Sequence, residues 1–192
     1  MGLSGAEGRF RQLYVEHYPA LLAYALRRST DRGEAEDAVA DAFVVLWRRI
    51  DQAPTDGHEA LLWLYGVIRR VIANRSRGRR RQRRVAQRFA EIAQLQPGAD
   101  DTAEARLNAS RLVRALQNLK EPEREVLLLA AWEGLTASQI AIVLGCSENA
   151  AAIRLHRARR RLTAIYEKEN ASDGHMRKQE AAPAALGKRS IR

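Results

Sequence analysis

A single cysteine, Cys146, in 192 residues rules out an internal disulfide and points to a reducing compartment. Aromatic residues are scarce at 6%. Alternating β-branched runs and Asn-Gly or Asp-Gly turns are missing, which argues against a sandwich and for small helical units. The longest uncharged apolar run, Val126–Trp132, falls far short of the roughly 20 residues a membrane span needs. Met1–Phe10 holds no apolar signal-peptide core. The expectation is a cytoplasmic protein with no membrane association. The four histidines, His17, His58, His156 and His175, are scattered without metal-ligand spacing, and no Gly-rich phosphate loop occurs. No metal, cofactor, small-molecule substrate or catalytic residue is expected, so the chain does not read as an enzyme.

Acid is absent from one stretch where base is dense. Residues 69–88 carry ten arginines, from Arg69 to Arg88, and no Asp or Glu. Setting those ten aside leaves 23 bases against 23 acids, so the entire net charge of +10 sits in this segment. A basic block of that density calls for a polyanionic partner.

Helical periodicity recurs along the chain. Phe10, Leu13 and Tyr14 mark a first apolar face, and Pro19 suits the first turn of a second helix. Asp31 with Glu34 predicts a capped helix running to about Ile50, with Ala35, Ala38, Val39, Ala42, Phe43, Leu46, Trp47 and Ile50 as its buried stripe. Pro54 and Gly57 interrupt the pattern, and another helix then runs into the arginine block. The Pro-Gly pair in residues 89–101 marks a linker. Beyond it, Leu107, Leu112, Leu116 and Leu119 predict one apolar face, Pro122 a helix start, Gly134 a helix end, and Ala137–Leu144 a short helix. A last helix ends near Glu167, and 169–192 reads as a flexible basic tail. The predicted fold is all-α: two small helical domains, 6–88 and 102–168, joined by a flexible linker, the second a helix-turn-helix domain.

Within the second domain, Ile140, Ala141, Leu144, Gly145 and Ala151 have helix-turn-helix spacing. Gly145 supplies the turn at positive φ and Ser147 the cap of the next helix, which presents Arg154, Arg157 and Arg160. In the first domain, Asp37 and Asp41 lie one turn apart, opposite the Phe43 stripe. That pattern fits either a solvated face or a docking surface for a basic partner. Trp63 and Tyr65 beside the arginines have the composition of a single-strand site, where bases stack and phosphates pair; the alternative is aromatics in the core and arginines as non-specific contacts, and Tyr65, flanked by Leu61 and Ile68, fits the core.

Three segments resemble a single family. Asp37–Trp47 (DAVADAFVVLW) is similar to the core-binding helix in region two of bacterial sigma factors. Trp63–Arg75 (WLYGVIRRVIANR) is similar to that family's promoter-melting helix, and Leu135–Leu162 to its region-four helix-turn-helix. Their order, with no domain between them, resembles the extracytoplasmic-function (ECF) group of the sigma-70 family over about residues 9–166. The resemblance implies a sigma factor that binds core RNA polymerase and directs promoter recognition and opening. Asp37, Asp41, Val44 and Arg48 would contact polymerase. Trp63, Arg69, Asn74 and Arg75 would meet the single-stranded minus-ten element. Ser147, Glu148, Asn149, Arg154, Arg157 and Arg160 would meet the double-stranded minus-35 element. An anti-sigma factor is a further partner the resemblance allows. The recognition helix departs from the family in Ala150, Ala151 and Ala152, where Thr, Val and Lys are common, so readout shifts to the residues around them. The alternative is a helix-turn-helix transcriptional regulator that is not a sigma factor.

Overall fold

The computed structural model describes residues 5–78 and 103–180. The arginines from Arg79 to Arg88 and the predicted linker lie outside the described residues. Among the described residues every regular element is a helix. They are α1 (Gly5–Leu26), α2 (Arg32–Arg48), α3 (Gly57–Gly78), α4 (Ala103–Gln117), α5 (Glu121–Ala131), α6 (Ala137–Leu144) and α7 (Glu148–Glu180), with a 3₁₀ turn at Ile50–Gln52.

Pro19 does not begin a helix; it lies inside α1. The ring removes one hydrogen bond to the carbonyl of Val15. Pro19 and Val15 are both exposed, so water can take that carbonyl, while Leu13, Leu21 and Tyr24 hold the helix to the core from its other side. Asp31 caps α2, accepting from the Glu34 amide at 2.7 Å. Glu34 reaches back to the Thr30 amide, one residue short of a full capping box. Asp56 caps α3 in the same way, through the Glu59 amide at 2.9 Å. The predicted stripe of α2 is buried with one exception: Trp47 is 47% exposed. The stripe extends past the core there, and the indole lies edge-on against Phe10, 5.3 Å between ring centres.

In the second half, Pro122 sits in the first turn of α5, and Gly134, at φ 66°, turns the chain after that helix ends at Ala131. Leu112 is 41% exposed; Val113, Ala115 and Leu116 form the inner face of α4 instead. The final helix passes Glu167 and continues to Glu180, so the first part of the predicted tail is helical. Glu169 is held there by Arg114 and Asn118 of α4, at 3.0 and 3.1 Å.

The two halves share one continuous buried cluster, with Leu64 and Ile68 of α3 in the same core as Ile140 and Val143 of α6. Gly66 lies at this approach. A Cβ there would stand 3.4 Å from the carbonyl oxygen of Val143, in ordinary van der Waals contact.

Candidate functional site

The first surface is the outer side of α2. Asp37, Asp41, Val44 and Arg48 are all exposed. Val44 and Trp47, each 47% exposed, border a groove of about 660 Å³ that Tyr14, Tyr18 and Phe43 also line. Aromatic and aliphatic area beside two carboxylates suits a partner helix that is both basic and amphipathic. The carboxylates are not isolated. The Arg75 guanidinium reaches across from α3, donating to Asp37 at 3.1 Å and to Asp41 at 2.6 and 3.0 Å. These hydrogen bonds, that to Asp41 foremost, raise the Arg75 pKa above its ordinary value.

The family resemblance places the second surface along α3, with Trp63, Arg69, Asn74 and Arg75 on the minus-ten strand. The helix separates them. At 100° per residue, Trp63 and Asn74 share one side, while Arg69 and Arg75 diverge from it by about 120° in opposite directions. Asn74 is exposed and Trp63 half-buried against the core. Arg75 turns to α2. Arg69 faces a cleft of about 420 Å³ between the two halves.

The third surface is the helix-turn-helix, and its local chemistry is as the residues predict. Thr136 caps α6, with Gln139 returning to the Thr136 amide at 2.8 Å. Gly145 ends the helix at φ 65°, and the Cys146 amide closes back on the Ala141 carbonyl at 3.0 Å. Ser147 then accepts from the Ala150 amide at 3.3 Å and caps α7. Ala151, Leu155 and Ala158 are buried at helical spacing, which fixes the opposite side outward. Ser147, Glu148, Asn149, Arg154, Arg157 and Arg160 are all exposed; Asn149, Arg157 and Arg160 lie on that outward side, and Glu148 and Arg154 on its flanks. Of the three alanines, Ala151 is wholly buried and only Ala152 is exposed. Arg154 lines the same cleft as Arg69.

One cluster had no signal in the sequence. Arg27 and Arg28, just past the end of α1, meet Glu125 of α5 and Glu133 beyond it. Arg28 donates to Glu125 at 2.9 Å and to Glu133 at 3.1 Å, Arg27 pairs with Glu133, and the Tyr24 hydroxyl donates to Glu125 at 2.7 Å. The Arg28 guanidinium lies 3.5 Å over the Tyr24 ring, which stacks on Tyr65. Burial raises the Tyr24 hydroxyl pKa and lifts that of Tyr65 to about 12. The side chains of Arg28 and Glu133 are 7% and 2% exposed.

Among the described residues no three His, Cys, Asp or Glu side chains gather to hold a metal, and no helix is long and apolar enough to cross a membrane.

Comparison with known proteins gives two family matches. Residues 13–82 match the model "Sigma-70 region 2" and residues 109–162 the model "Sigma-70, region 4". The chain is 31% identical to RNA polymerase sigma factor CnrH of Cupriavidus metallidurans, over 87% of this chain and 91% of that protein. It is also 31% identical to ECF RNA polymerase sigma factor SigL of Mycobacterium tuberculosis, over 84% and 91%. Among solved structures, CnrH in complex with the cytosolic domain of CnrY aligns with a TM-score of 0.55 and 27% identity, covering 83% of this chain and 88% of that one. The sigma factor RpoE, solved in complex with the anti-sigma factor NepR from Bartonella quintana, shares the fold with a TM-score of 0.59 at 24% identity, over 82% and 96%.

Proposed function

This chain belongs to the sigma-70 family of RNA polymerase sigma factors, in its ECF group, and from that premise we propose how its surfaces divide the work. As a sigma factor it binds core RNA polymerase and directs promoter recognition and opening. A regulator with a helix-turn-helix alone would need no region-two half, so that alternative is not favoured.

Residues 6–88 act as the region-two domain, 89–101 as the linker and 102–168 as the region-four domain. Asp37, Asp41, Val44 and Arg48 take the polymerase, and the groove beside Trp47 adds apolar area to the same contact. Asn74 and Trp63, on a shared side of α3, meet the opened minus-ten strand, where a stacked base contributes about 1–3 kcal/mol. Arg75 joins them once it leaves its carboxylates, and Arg69 serves the same element from the cleft side. On α7, Glu148 and Asn149 occupy the first turn for base edges, Arg154 is the first long side chain for a guanine, and Arg157 and Arg160 move toward phosphates. The chain supplies specificity and no catalysis of its own, and it works in the bacterial cytoplasm. CnrH was solved in complex with the cytosolic domain of CnrY, which supports a protein partner of the anti-sigma kind for this chain too.

The observation that carries this reading is the exposed Asp37/Asp41 face beside an unburied Trp47, in a chain whose other half turns an arginine-bearing recognition helix outward. The test is run-off transcription with purified core enzyme on a promoter library. Promoter-dependent transcripts that vanish with Asp37→Lys/Asp41→Lys support the assignment. Wild-type core affinity in that double variant overturns it.

A further inference from the structure

The cleft of about 420 Å³ that Arg69 and Arg154 line holds more positive charge than its surroundings consume. Five arginines border it. Arg27 and Arg28 are paired with Glu125 and Glu133. Arg69 of α3, Arg124 of α5 and Arg154 of α7 make no ion pair among the described residues. Glu121 is the one further carboxylate on the described wall, so three guanidinium groups stand against a single acid. Donors are left over as well. Arg27 Nε, Arg28 Nη2 and Arg69 Nε are buried and make no hydrogen bond, and the Arg28 side chain as a whole is 7% exposed. A buried donor without an acceptor costs free energy that an anion would recover, more so on a charged group. The rest of the wall is apolar. Ile72 lies one turn beyond Arg69 on α3, and Leu128 of α5 and Leu144 of α6 come from the other half.

We propose that this cleft binds a nucleoside phosphate. Phosphate oxygens match the guanidinium forks of Arg69, Arg124 and Arg154, each of which offers paired donors. The base matches the apolar wall, and a guanidinium plane can stack on its face. Inorganic phosphate alone would leave Ile72, Leu128 and Leu144 uncovered. The volume falls within the range of about 300–1,000 Å³ usual for small-molecule sites. It is too small to admit a duplex, whose major groove alone is about 12 Å wide. Binding there requires only the free chain. On the promoter roles proposed above, an occupied cleft also withholds Arg69 and Arg154 from the minus-ten and minus-35 elements.

Isothermal titration calorimetry of the full chain with ADP tests the site, with adenosine and inorganic pyrophosphate as separate titrants. ADP should bind one to one, and about tenfold or more tighter than either fragment. Two variants locate it. Arg124→Gln removes a guanidinium to which no promoter contact is assigned. It should weaken ADP by about tenfold, the ordinary effect of losing a charge-assisted hydrogen bond. Ala73→Trp keeps every charge but puts an indole into the cleft, which Ala73 lines, and should weaken ADP at least as much. Replacing Arg80, Arg81, Arg83 and Arg84 together with Gln strips charge from the basic block instead and should leave ADP affinity unchanged. Affinity unchanged by Arg124→Gln overturns the proposal, whatever Ala73→Trp does to folding. So does pyrophosphate that binds as tightly as ADP, or ADP binding that disappears with the block arginines. No binding of ADP at millimolar concentration overturns it as well.

Discussion

Arg75 sits between the two carboxylates proposed to receive the polymerase, so a substitution at any of the three disturbs the other two. Exposed ion pairs contribute only about 0–1 kcal/mol each. Asp37→Lys/Asp41→Lys should therefore leave the melting temperature within a few degrees of wild type while weakening core binding by roughly tenfold or more, measured by titration with fluorescently labelled core. Arg75→Ala frees both carboxylates, so it should bind core at least as tightly as wild type does but leave minus-ten thymines less reactive to permanganate. Unchanged reactivity would confine Arg75 to bracing α2. His17 supplies a different test. It is 4% exposed, and burial holds its pKa below the ordinary 6.5, an effect Glu16 partly offsets. The unfolded chain takes up this proton first. The stability contributed by neutral His17 is thus complete above about pH 6.5 and is lost as the pH falls below it. Melting temperatures between pH 7.5 and 5.5 should fall more steeply for wild type than for His17→Gln, and parallel curves would exclude His17 as the cause. At this scale the sequence was legible where the chemistry is local. Asp31 and Ser147 as caps and Gly145 at positive φ needed only their near neighbours. Trp47 was misread because helical spacing shows which side a residue occupies, not where the core beneath that side ends.

Among the elements, α7 carries the sharpest expectation. Ser147→Ala should cost about 1 kcal/mol in denaturant unfolding of the full chain, the ordinary value of an N-cap. Arg154→Ala should relax preference at one minus-35 position, since a bidentate guanine contact discriminates by about 1–3 kcal/mol, whereas Arg160→Ala should lower transcription from every promoter alike. Run-off transcription across single-base minus-35 variants separates the two, and an equal drop throughout with Arg154→Ala would make it a phosphate ligand. Helix existence was legible from periodicity; helix ends were less so. Pro19 looked like a beginning because its ring suits a first turn, yet tertiary packing on the far side of α1 carried the helix through it. Glu167 looked like an end because the sequence beyond turns polar, yet the hold of Arg114 and Asn118 on Glu169 carried α7 further. The α3 candidates shared a sequence window but not a side, a difference that counting in steps of 100° would have exposed.

For the molecule as a whole, the charge of the 69–88 segment should dominate nucleic-acid affinity. Free protein should bind duplex DNA weakly and with little sequence preference. If about four phosphates are neutralised, affinity should fall roughly a hundredfold between 50 and 200 mM salt. Fluorescence anisotropy on unrelated duplexes tests this, and tight, specific binding by the isolated chain would contradict it. What composition and motif order could not convey was the contact between the halves. Its partners lie 97 to 106 residues apart, and each looks like an ordinary surface charge in its own neighbourhood. The ion-pair cluster that joins the halves also bears on how such proteins recombine. A chimera that borrows region four from a relative without carboxylates at the positions of Glu125 and Glu133 would leave the buried guanidinium of Arg28 with no counter-charge. Such a graft would arrive with its promoter preference intact and its seam ill-fitting, and reinstating the two carboxylates would be the way to mend it.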